Sequence, residues 1–270
     1  MARPLAPGAT HAHDMSLRPM PVLFIGQGAP ANAIEHNAWS DAWRLLGAAL
    51  PRPRAILCVS PYWQVDGVRI TGAAAPPTLA PDGAAPALPA VRYPARGDPL
   101  LARRVAGLLG TEATIDHQRG LDVGAWGVLL PMFPDADIPV VQLGLDPARD
   151  GHWHYHLAQR LQPLRDEGVL LLCSGNIVHN PAASASQAAG AADWAPRFRD
   201  LVDRLMQAGD YAALMRWPSL PDAARAAPDP ARFLPLLYAL ANGRAGDKVT
   251  VFNDDVAGGV SMTCLLIDVA

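Results

Sequence analysis

The sequence predicts an α/β fold, in which helices flank a central β-sheet that is mostly parallel or mixed. Short apolar runs that suit buried strands alternate with amphipathic stretches of helical length along the whole chain. A chain of 270 residues is long enough for one large α/β domain, and no internal repeat or linker-like segment divides it. We therefore expect a single domain over residues 19–270, preceded by a disordered tail over residues 1–18.

Strands are predicted at short apolar or β-branched runs that end in Gly, Pro or a polar loop. The first half of the chain contains "VLFIG" (22–26), "AILCVSPYW" (55–63), "VRITG" (68–72) and "TEATID" (111–116). The second half contains "IPVVQLGL" (138–145), "VLLLCSGN" (169–176), "KVTVFND" (248–254) and "VSMTCLLIDV" (260–269).

Helices are predicted where apolar residues recur at three- or four-residue spacing. These segments are 35–50, 99–110, 124–133, 152–168, 194–209, 210–217 and 229–242. Residues 73–99 are rich in Ala, Pro and Gly, carry no period and are too long for a plain connector. We predict that they form a lid or binding loop.

Composition excludes several classes of partner. The net charge is −3 and no basic run occurs, so neither nucleic acid nor an anionic membrane is an expected partner. The first residues lack the apolar core of a signal peptide. Three cysteines in apolar runs, without a C-x-x-C pair, indicate buried thiols in a reducing compartment: Cys58, Cys173 and Cys264. Together these features predict a cytoplasmic protein.

Four polar loops follow apolar segments, and such loops are where α/β proteins carry their functional sites. They read "GQGAP" with Gln27, "SPYW" with Tyr62, "GLDVGAWG" with Asp122 and "SGNIVHN" with His179. In the first loop, glycine on both sides of Gln27 lets the backbone turn tightly and approach a ligand closely. A tight loop of this kind is typical of a side chain that is presented to a site.

Taken in order and spacing, these loops resemble the 4,5-DOPA extradiol dioxygenase group of the class III, LigB-type, ring-cleaving dioxygenases. The resemblance runs from about residue 20 to residue 270 and includes "LPRPRAILCVSPYW", "WGVLLPMFPDADIPVVQLGLD" and "RFLPLLYALA". It implies a divalent metal, iron for ring cleavage or zinc, and site histidines on these loops. At the five corresponding positions the chain has Gln27, Tyr62, Val123, His179 and Arg232.

Only His179 is a histidine among these five residues. An amide oxygen is a weak neutral ligand, arginine is a permanent cation, and a divalent site needs about three good protein ligands. We therefore expect no bound metal. We expect no other cofactor either, because the chain lacks complete dinucleotide-binding and Walker motifs.

The main hypothesis from the sequence is a metal-independent enzyme that acts by acid/base chemistry on a small aromatic or enol-type carboxylate. One alternative is a non-catalytic relative that binds a ligand or partner through the remodelled cleft. Another is an active extradiol ring-opening dioxygenase with non-standard metal ligands. The oligomeric state is left open.

Under the main hypothesis His179 and Tyr62 are catalytic and exchange protons, whereas Arg232, Gln27 and Asp122 bind the substrate. A simpler interpretation stands beside several of these roles. His179 could be held in its turn without a catalytic role, and Tyr62 could only fill the space that a metal ligand would otherwise occupy. Arg232 could extend along the surface of its helix, and Asp122 could cap a turn or pair with Arg119.

Overall fold

A computed structural model describes residues 18–81, 88–185 and 193–270. The predicted disordered tail lies outside the described residues, apart from residue 18. The described chain forms one α/β domain around an eight-stranded mixed sheet, which confirms the predicted fold class. No helix within the described ranges is long and apolar enough to cross a membrane.

The large sheet has the strand order β4-β3-β5-β2-β6-β1-β10-β7. Its centre is parallel, since β5, β2, β6 and β1 all run in one direction. β10 pairs antiparallel with β1 and with β7, and β3 pairs antiparallel with β5. The strands are β1 Val22–Gly26, β2 Ala55–Gln64, β3 Val68–Thr71, β4 Ala113–Asp116, β5 Val140–Leu145, β6 Val169–Gly175, β7 Asp247–Phe252, β8 Val256–Ala257, β9 Val260–Ser261 and β10 Cys264–Val269.

Helices cover both faces of this sheet. Short 3₁₀ turns occur at Pro30–Ala33, Leu88–Ala90 and Trp217–Ser219. The α-helices are α1 Ala38–Ala49, α2 Pro99–Leu109, α3 Val123–Met132, α4 Gly151–Gln159, α5 Pro163–Asp166, α6 Pro181–Ala185, α7 Trp194–Gln207, α8 Tyr211–Met215, α9 Ala223–Ala226 and α10 Pro230–Ala241.

The central strands are buried on both faces because successive side chains point to opposite sides of a strand. In β1, Phe24 packs into the core beneath α2, α4, α7 and α10, whereas Leu23 and Ile25 pack into the core beneath α1 and α3. The same alternation places Leu57 of β2 in the first core and Ile56 in the second. This double burial explains why these strands read as continuous apolar runs.

Two elements differ from the sequence prediction. The helix expected over residues 152–168 is divided into α4 and α5, and α5 begins at Pro163. Proline has no backbone N–H and fits the first turn of a new helix better than the interior of an existing one. The strand expected over residues 260–269 is also divided, because Met262 and Thr263 leave the ladder between β9 and β10.

The segment 73–99 is tied to the body of the domain where it is described. Tyr93 is buried and its hydroxyl donates to the carbonyl of Phe133, 3.1 Å away. The indole Nε1 of Trp126 in α3 donates to the carbonyl of Leu79 at 2.9 Å. Residues 82–87 of the predicted lid lie outside the described residues. The role of this segment as a lid stays a prediction.

Candidate functional site

The carboxyl ends of β2, β6 and β1 lie side by side at one edge of the sheet, because these three strands are parallel neighbours. Tyr62 lies within the last residues of β2, and the loops that follow β6 and β1 carry His179 and Gln27. The N-terminal ends of α3 and α10 reach the same edge, and they carry Asp122 and Arg232. The parallel order of the strands thus gathers Tyr62, His179 and Gln27 at this edge, and the starts of two helices bring Asp122 and Arg232 to it.

The backbone conformation around Gln27 is fixed by a hydrogen bond of its own N–H and by the left-handed turn at Gly28. The Gln27 N–H donates to the carbonyl of Gly175 at 3.1 Å, and Gly28 has a φ of 59° in the left-handed region. A Cβ on Gly28 would lie 2.4 Å from the sulfur of Met262, so only glycine fits there. The Gln27 side chain is 7% exposed, and its Oε1 accepts from the Ser174 hydroxyl at 2.9 Å.

Tyr62 lies in an irregular part of β2, where the pairing with β5 shifts between Val59 and Gln64. The Tyr62 N–H donates to the Ser60 Oγ at 3.2 Å. Its ring lies against Gly124 of α3, where a Cβ would come within 3.0 Å of the ring carbon Cδ2 and 2.1 Å of the Ser60 Oγ. Because Gly124 has no side chain, the ring of Tyr62 can pack against α3 at this position.

Asp122 is a buried carboxylate whose oxygens are all engaged. Its Oδ1 caps α3 by accepting from the N–H groups of Gly124 and Ala125, and it also accepts from the Ser60 hydroxyl at 2.7 Å. Its Oδ2 accepts from the Gln142 amide and lies 3.4 Å from the Arg119 Nη2. The cap and the Arg119 pair that the sequence allowed for Asp122 are both present. Its contact with a substrate stays a prediction.

Arg232 lies in the first turn of α10 and its side chain points inward. The side chain is 14% exposed, and its guanidinium carbon lies 4.3 Å from the centre of the Tyr62 ring. Its nearest carboxylate among the described residues is that of Asp229, with 3.7 Å between Nε and Oδ2. The sequence left open whether this arginine extends along the surface or points inward. It points inward and packs against an aromatic ring.

His179 is half-buried in the loop after β6, and its N–H donates to the carbonyl of Ala226 at 2.7 Å. Burial, together with the positive charge of Arg232, lowers the pKa of the His179 imidazole to about 4. The imidazole is therefore neutral at physiological pH.

A small cavity lies between the β1 loop and α3. Its volume is about 10 Å³, and its lining includes Gln27, Tyr62 and Val123. A space of this size holds about one water-sized group. None of the described residues of the 73–99 segment lines it. The larger part of any organic ligand must therefore lie outside this cavity.

Four buried polar atoms at or beside the site have no hydrogen-bond partner among the described residues: the amide Nε2 of Gln27, the Nη1 of Arg232, the Nε of Arg119 and the Oδ1 of Asn176. Within the same described ranges, no group of three or more His, Cys, Asp or Glu side chains could hold a metal ion.

Sequence reasoning missed three residues that position the site. Ser60 and Ser174 fix Tyr62 and Gln27, and Gln142 holds Asp122 together with Arg119, the partner that the sequence had suggested. Ser60 and Ser174 stand inside the quoted loops "SPYW" and "CSGN", so their sequence neighbourhood could have identified them. Gln142 lies within a buried strand, and only its polar character in an apolar run marked it.

Comparisons with known proteins agree with the architecture and extend over nearly the whole chain. Residues 26–258 match the family described as the catalytic LigB subunit of aromatic ring-opening dioxygenase. The chain is 38% identical to a protein of Escherichia coli K12 named 4,5-DOPA dioxygenase extradiol, covering 94% of this chain and 96% of that protein. A protein of Beta vulgaris with the same name is 33% identical, over 88% of this chain and 92% of its own length.

A solved structure shows the same fold. The crystal structure of an uncharacterized protein from Escherichia coli K12 matches with a TM-score of 0.80 and 34% sequence identity. The match covers 92% of this chain and 99% of that chain. The shared architecture thus includes both faces of the sheet and the edge at which the candidate site lies.

These similarities overturn the main functional hypothesis from the sequence. A metal-independent enzyme that works by acid/base chemistry on a carboxylate is wrong as the primary interpretation, because the relatives that match about nine-tenths of the chain are named as extradiol dioxygenases. The hypothesis gave too much weight to five positions and too little to the rest of the sequence. The family model covers residues 26–258, and the chain belongs to the LigB family of aromatic ring-opening dioxygenases.

Proposed function

We propose that this protein is an extradiol-type dioxygenase that opens the ring of a DOPA-like aromatic compound. The observation that carries the proposal is the 38% identity, over 94% of the chain, to a protein named 4,5-DOPA dioxygenase extradiol. The site at the carboxyl edge of the parallel strands supports it, since ligands of open α/β sheets bind there. In such a reaction a ring carbon–carbon bond breaks and both atoms of dioxygen enter the product.

The divalent metal that the family resemblance implies does not fit the side chains of this site in the usual way. His179 is the one imidazole, the Gln27 oxygen is taken by Ser174, and Arg232 brings a permanent cation. A divalent site with fewer than about three good protein ligands holds its ion weakly. The proposed activity therefore implies a donor set that differs from the histidines of the resemblance.

The side chains of the site can contribute to substrate binding independently of a metal. Arg232, which lies over the Tyr62 ring, provides a cation that can interact with a substrate ring or with its oxygens. Val123 and the Gln27 loop line the small cavity of the site. His179, neutral at physiological pH, can accept a hydrogen bond from a substrate hydroxyl.

The test is an oxygen-uptake assay with L-DOPA and simple catechols, in which the ring-opened product is followed by its visible absorbance. The protein is assayed as purified and after anaerobic incubation with ferrous ion. We expect oxygen consumption and product formation in equal amounts with at least one of these substrates. If neither preparation consumes oxygen with any of them, the proposed function is wrong.

A further inference from the structure

A second concave site lies on the other side of α10 from the contact between Arg232 and Tyr62. It is a pocket of about 300 Å³ between the loop that follows β5, the segment around Trp217 and the start of α10. Pro230 and Leu234 are one helical turn apart on α10 and both line the pocket. Arg232 lies between them in the chain, so it points to the opposite side of the helix, toward the Tyr62 ring.

Apolar and rigid side chains form one part of the lining. Trp217 and Leu234 are buried, and the ring of Trp217 stacks on that of Phe233 with 4.8 Å between the ring centres. Three prolines also line the pocket, namely Pro147, Pro218 and Pro230. Proline and a stacked indole lose little conformational freedom when a ligand binds. A preformed apolar pocket of this volume is typical of a small-molecule site.

The other part of the lining carries more positive than negative charge. Arg149 and Arg216 both line the pocket, together with one carboxylate, that of Asp150. Arg149 is held by Asp146, with 3.5 Å between Nε and Oδ2, and by the ring of Trp153, whose centre lies 5.4 Å from the guanidinium carbon. Arg216 is exposed, and its side chain makes no hydrogen bond or ion pair with any described residue. Its positive charge is therefore available to a ligand.

The start of α4 adds to this positive field. Gly151 and His152, the first two residues of α4, line the pocket. Asp150 accepts from the N–H of Trp153, which is one of the four N–H groups that a helix start leaves without an intrahelical partner. The helix dipole places partial positive charge at this end of α4 and favours an anion there. The helix start and the two arginines thus favour the same kind of ligand.

We propose that this pocket binds a small organic monocarboxylate with an apolar body. The carboxylate lies against Arg149 and Arg216, and the apolar body packs on Trp217 and Leu234. A guanidinium presents parallel N–H donors that match the two oxygens of a carboxylate. Burial of the apolar body supplies the rest of the binding free energy, since the exposed charges alone contribute little.

The balance of charges selects a single negative charge. Asp146 and Asp150 offset part of the positive charge of the two arginines. The pocket therefore suits a carboxylate better than a phosphate group, which carries up to about two negative charges near neutral pH. The pocket shares no lining residue with the small cavity beside Gln27, so its occupation does not depend on the proposed ring opening.

Isothermal titration calorimetry with three probes tests this pocket. Phenylacetate has a carboxylate and an apolar body, phenylacetamide has the same shape without the charge, and acetate has the carboxylate alone. The variants Arg149→Gln and Arg216→Gln each remove one positive charge from the lining. Arg103→Gln is the matched control, because it removes an exposed charge of α2 that lies outside the pocket. Arg232→Gln shows whether the probe binds at the candidate site instead.

We expect wild-type protein to bind phenylacetate at least about tenfold more tightly than phenylacetamide or acetate, because phenylacetate alone satisfies both parts of the lining. Arg149→Gln and Arg216→Gln each weaken that binding by roughly three- to tenfold, as expected for charge-assisted hydrogen bonds that solvent partly screens. Arg103→Gln and Arg232→Gln leave it unchanged. Melting curves exclude variants that have unfolded.

Three results would overturn the carboxylate pocket. One is equal affinity for phenylacetate and phenylacetamide, or no binding of phenylacetate at millimolar concentration. Another is unchanged binding in both Arg149→Gln and Arg216→Gln. The third is binding that is lost in Arg232→Gln and kept in the two pocket variants, which would place the probe at the candidate site. The oxygen-uptake assay decides the ring-opening activity separately, and its result leaves the carboxylate pocket unaffected.

Discussion

The guanidinium of Arg232 lies over the ring of Tyr62, with 4.3 Å between its central carbon and the ring centre. This contact joins the start of α10 to the irregular end of β2, two elements that are 170 residues apart in the chain. It gives the site a fixed positive charge on an aromatic surface.

Replacing Arg232 by histidine should create a tighter metal site. The change Arg232→His removes a permanent cation and adds an imidazole near His179, so both the charge and the ligand count become more favourable. We expect the affinity for Zn²⁺ to rise at least about tenfold, since one added ligand contributes more than about 1.4 kcal/mol. Competition with a chromophoric chelator measures this. Wild-type affinity equal to that of Arg232→His would contradict the account of the donor set.

Adding a methyl group at position 124 should displace Tyr62. A Cβ there would meet the Ser60 Oγ at 2.1 Å and the Tyr62 Cδ2 at 3.0 Å, so the Gly124→Ala variant should lose roughly 1–3 kcal/mol of stability in urea unfolding. Gly107→Ala is the control, because nothing lies within 4 Å of its Cβ in α2. The control should be neutral or stabilising by up to about 1 kcal/mol. Equal effects of the two changes would show that the space beside Tyr62 is not tight.

The carboxylate of Asp122 should be essential to the local fold. The variant Asp122→Asn turns one oxygen into a donor that faces other donors, namely the Gln142 amide or the N–H groups at the start of α3. We expect a loss of roughly 2–3 kcal/mol in the free energy of unfolding. Asp210→Asn is the control. The exposed Asp210 caps α8 by accepting a hydrogen bond from one N–H group, and asparagine caps a helix equally well. A loss in the control as large as in Asp122→Asn would refute the specific role of Asp122.

The buried state of His179 should make the protein less stable in mild acid. Its pKa is lowered to about 4 in the folded protein, so between about pH 6.5 and 4 the unfolded chain binds more protons. Stability is therefore fully present above pH 6.5 and falls as the pH drops toward 4, by on the order of 1 kcal/mol once solvent screening at this half-buried group is allowed for.

The variant His179→Gln isolates this contribution. Burial also lowers the pKa of His154, so His154 causes a further loss of stability in acid. This loss is the same in wild type and in His179→Gln. Urea midpoints measured from pH 7 to pH 4 should therefore fall more steeply for wild type than for His179→Gln. Parallel pH profiles would contradict the buried, neutral state of His179.

The sequence predicted the scaffold of the site well, because local patterns determine it. An apolar run ending in "GQG" predicted both β1 and the loop of Gln27, and the left-handed φ of Gly28 explains why glycine is needed there. The division of the helix at Pro163 was not predicted, although proline marked it. Proline is accepted in the first turn of a helix, so only tertiary packing decides whether a helix continues or restarts.

The chemistry of the site was less accessible to sequence reasoning. An arginine in the first turn of a helix can point outward or inward, and the choice for Arg232 depends on the ring of Tyr62, which comes from a distant strand. The lack of partners for Gln27 Nε2 is likewise a property of the assembled fold. The functional hypothesis then erred by inferring the reaction from these few side chains, whereas similarity over the whole chain indicates the class of reaction.

Isotope labelling tests the central claim, oxidative ring opening, most directly. The protein is incubated with L-DOPA or the preferred catechol under dioxygen enriched in the heavy isotope, and the product is analysed by mass spectrometry. The account predicts a ring-opened product that carries two heavy oxygen atoms. Recovery of unchanged substrate only, or of a product without label from dioxygen, would contradict it.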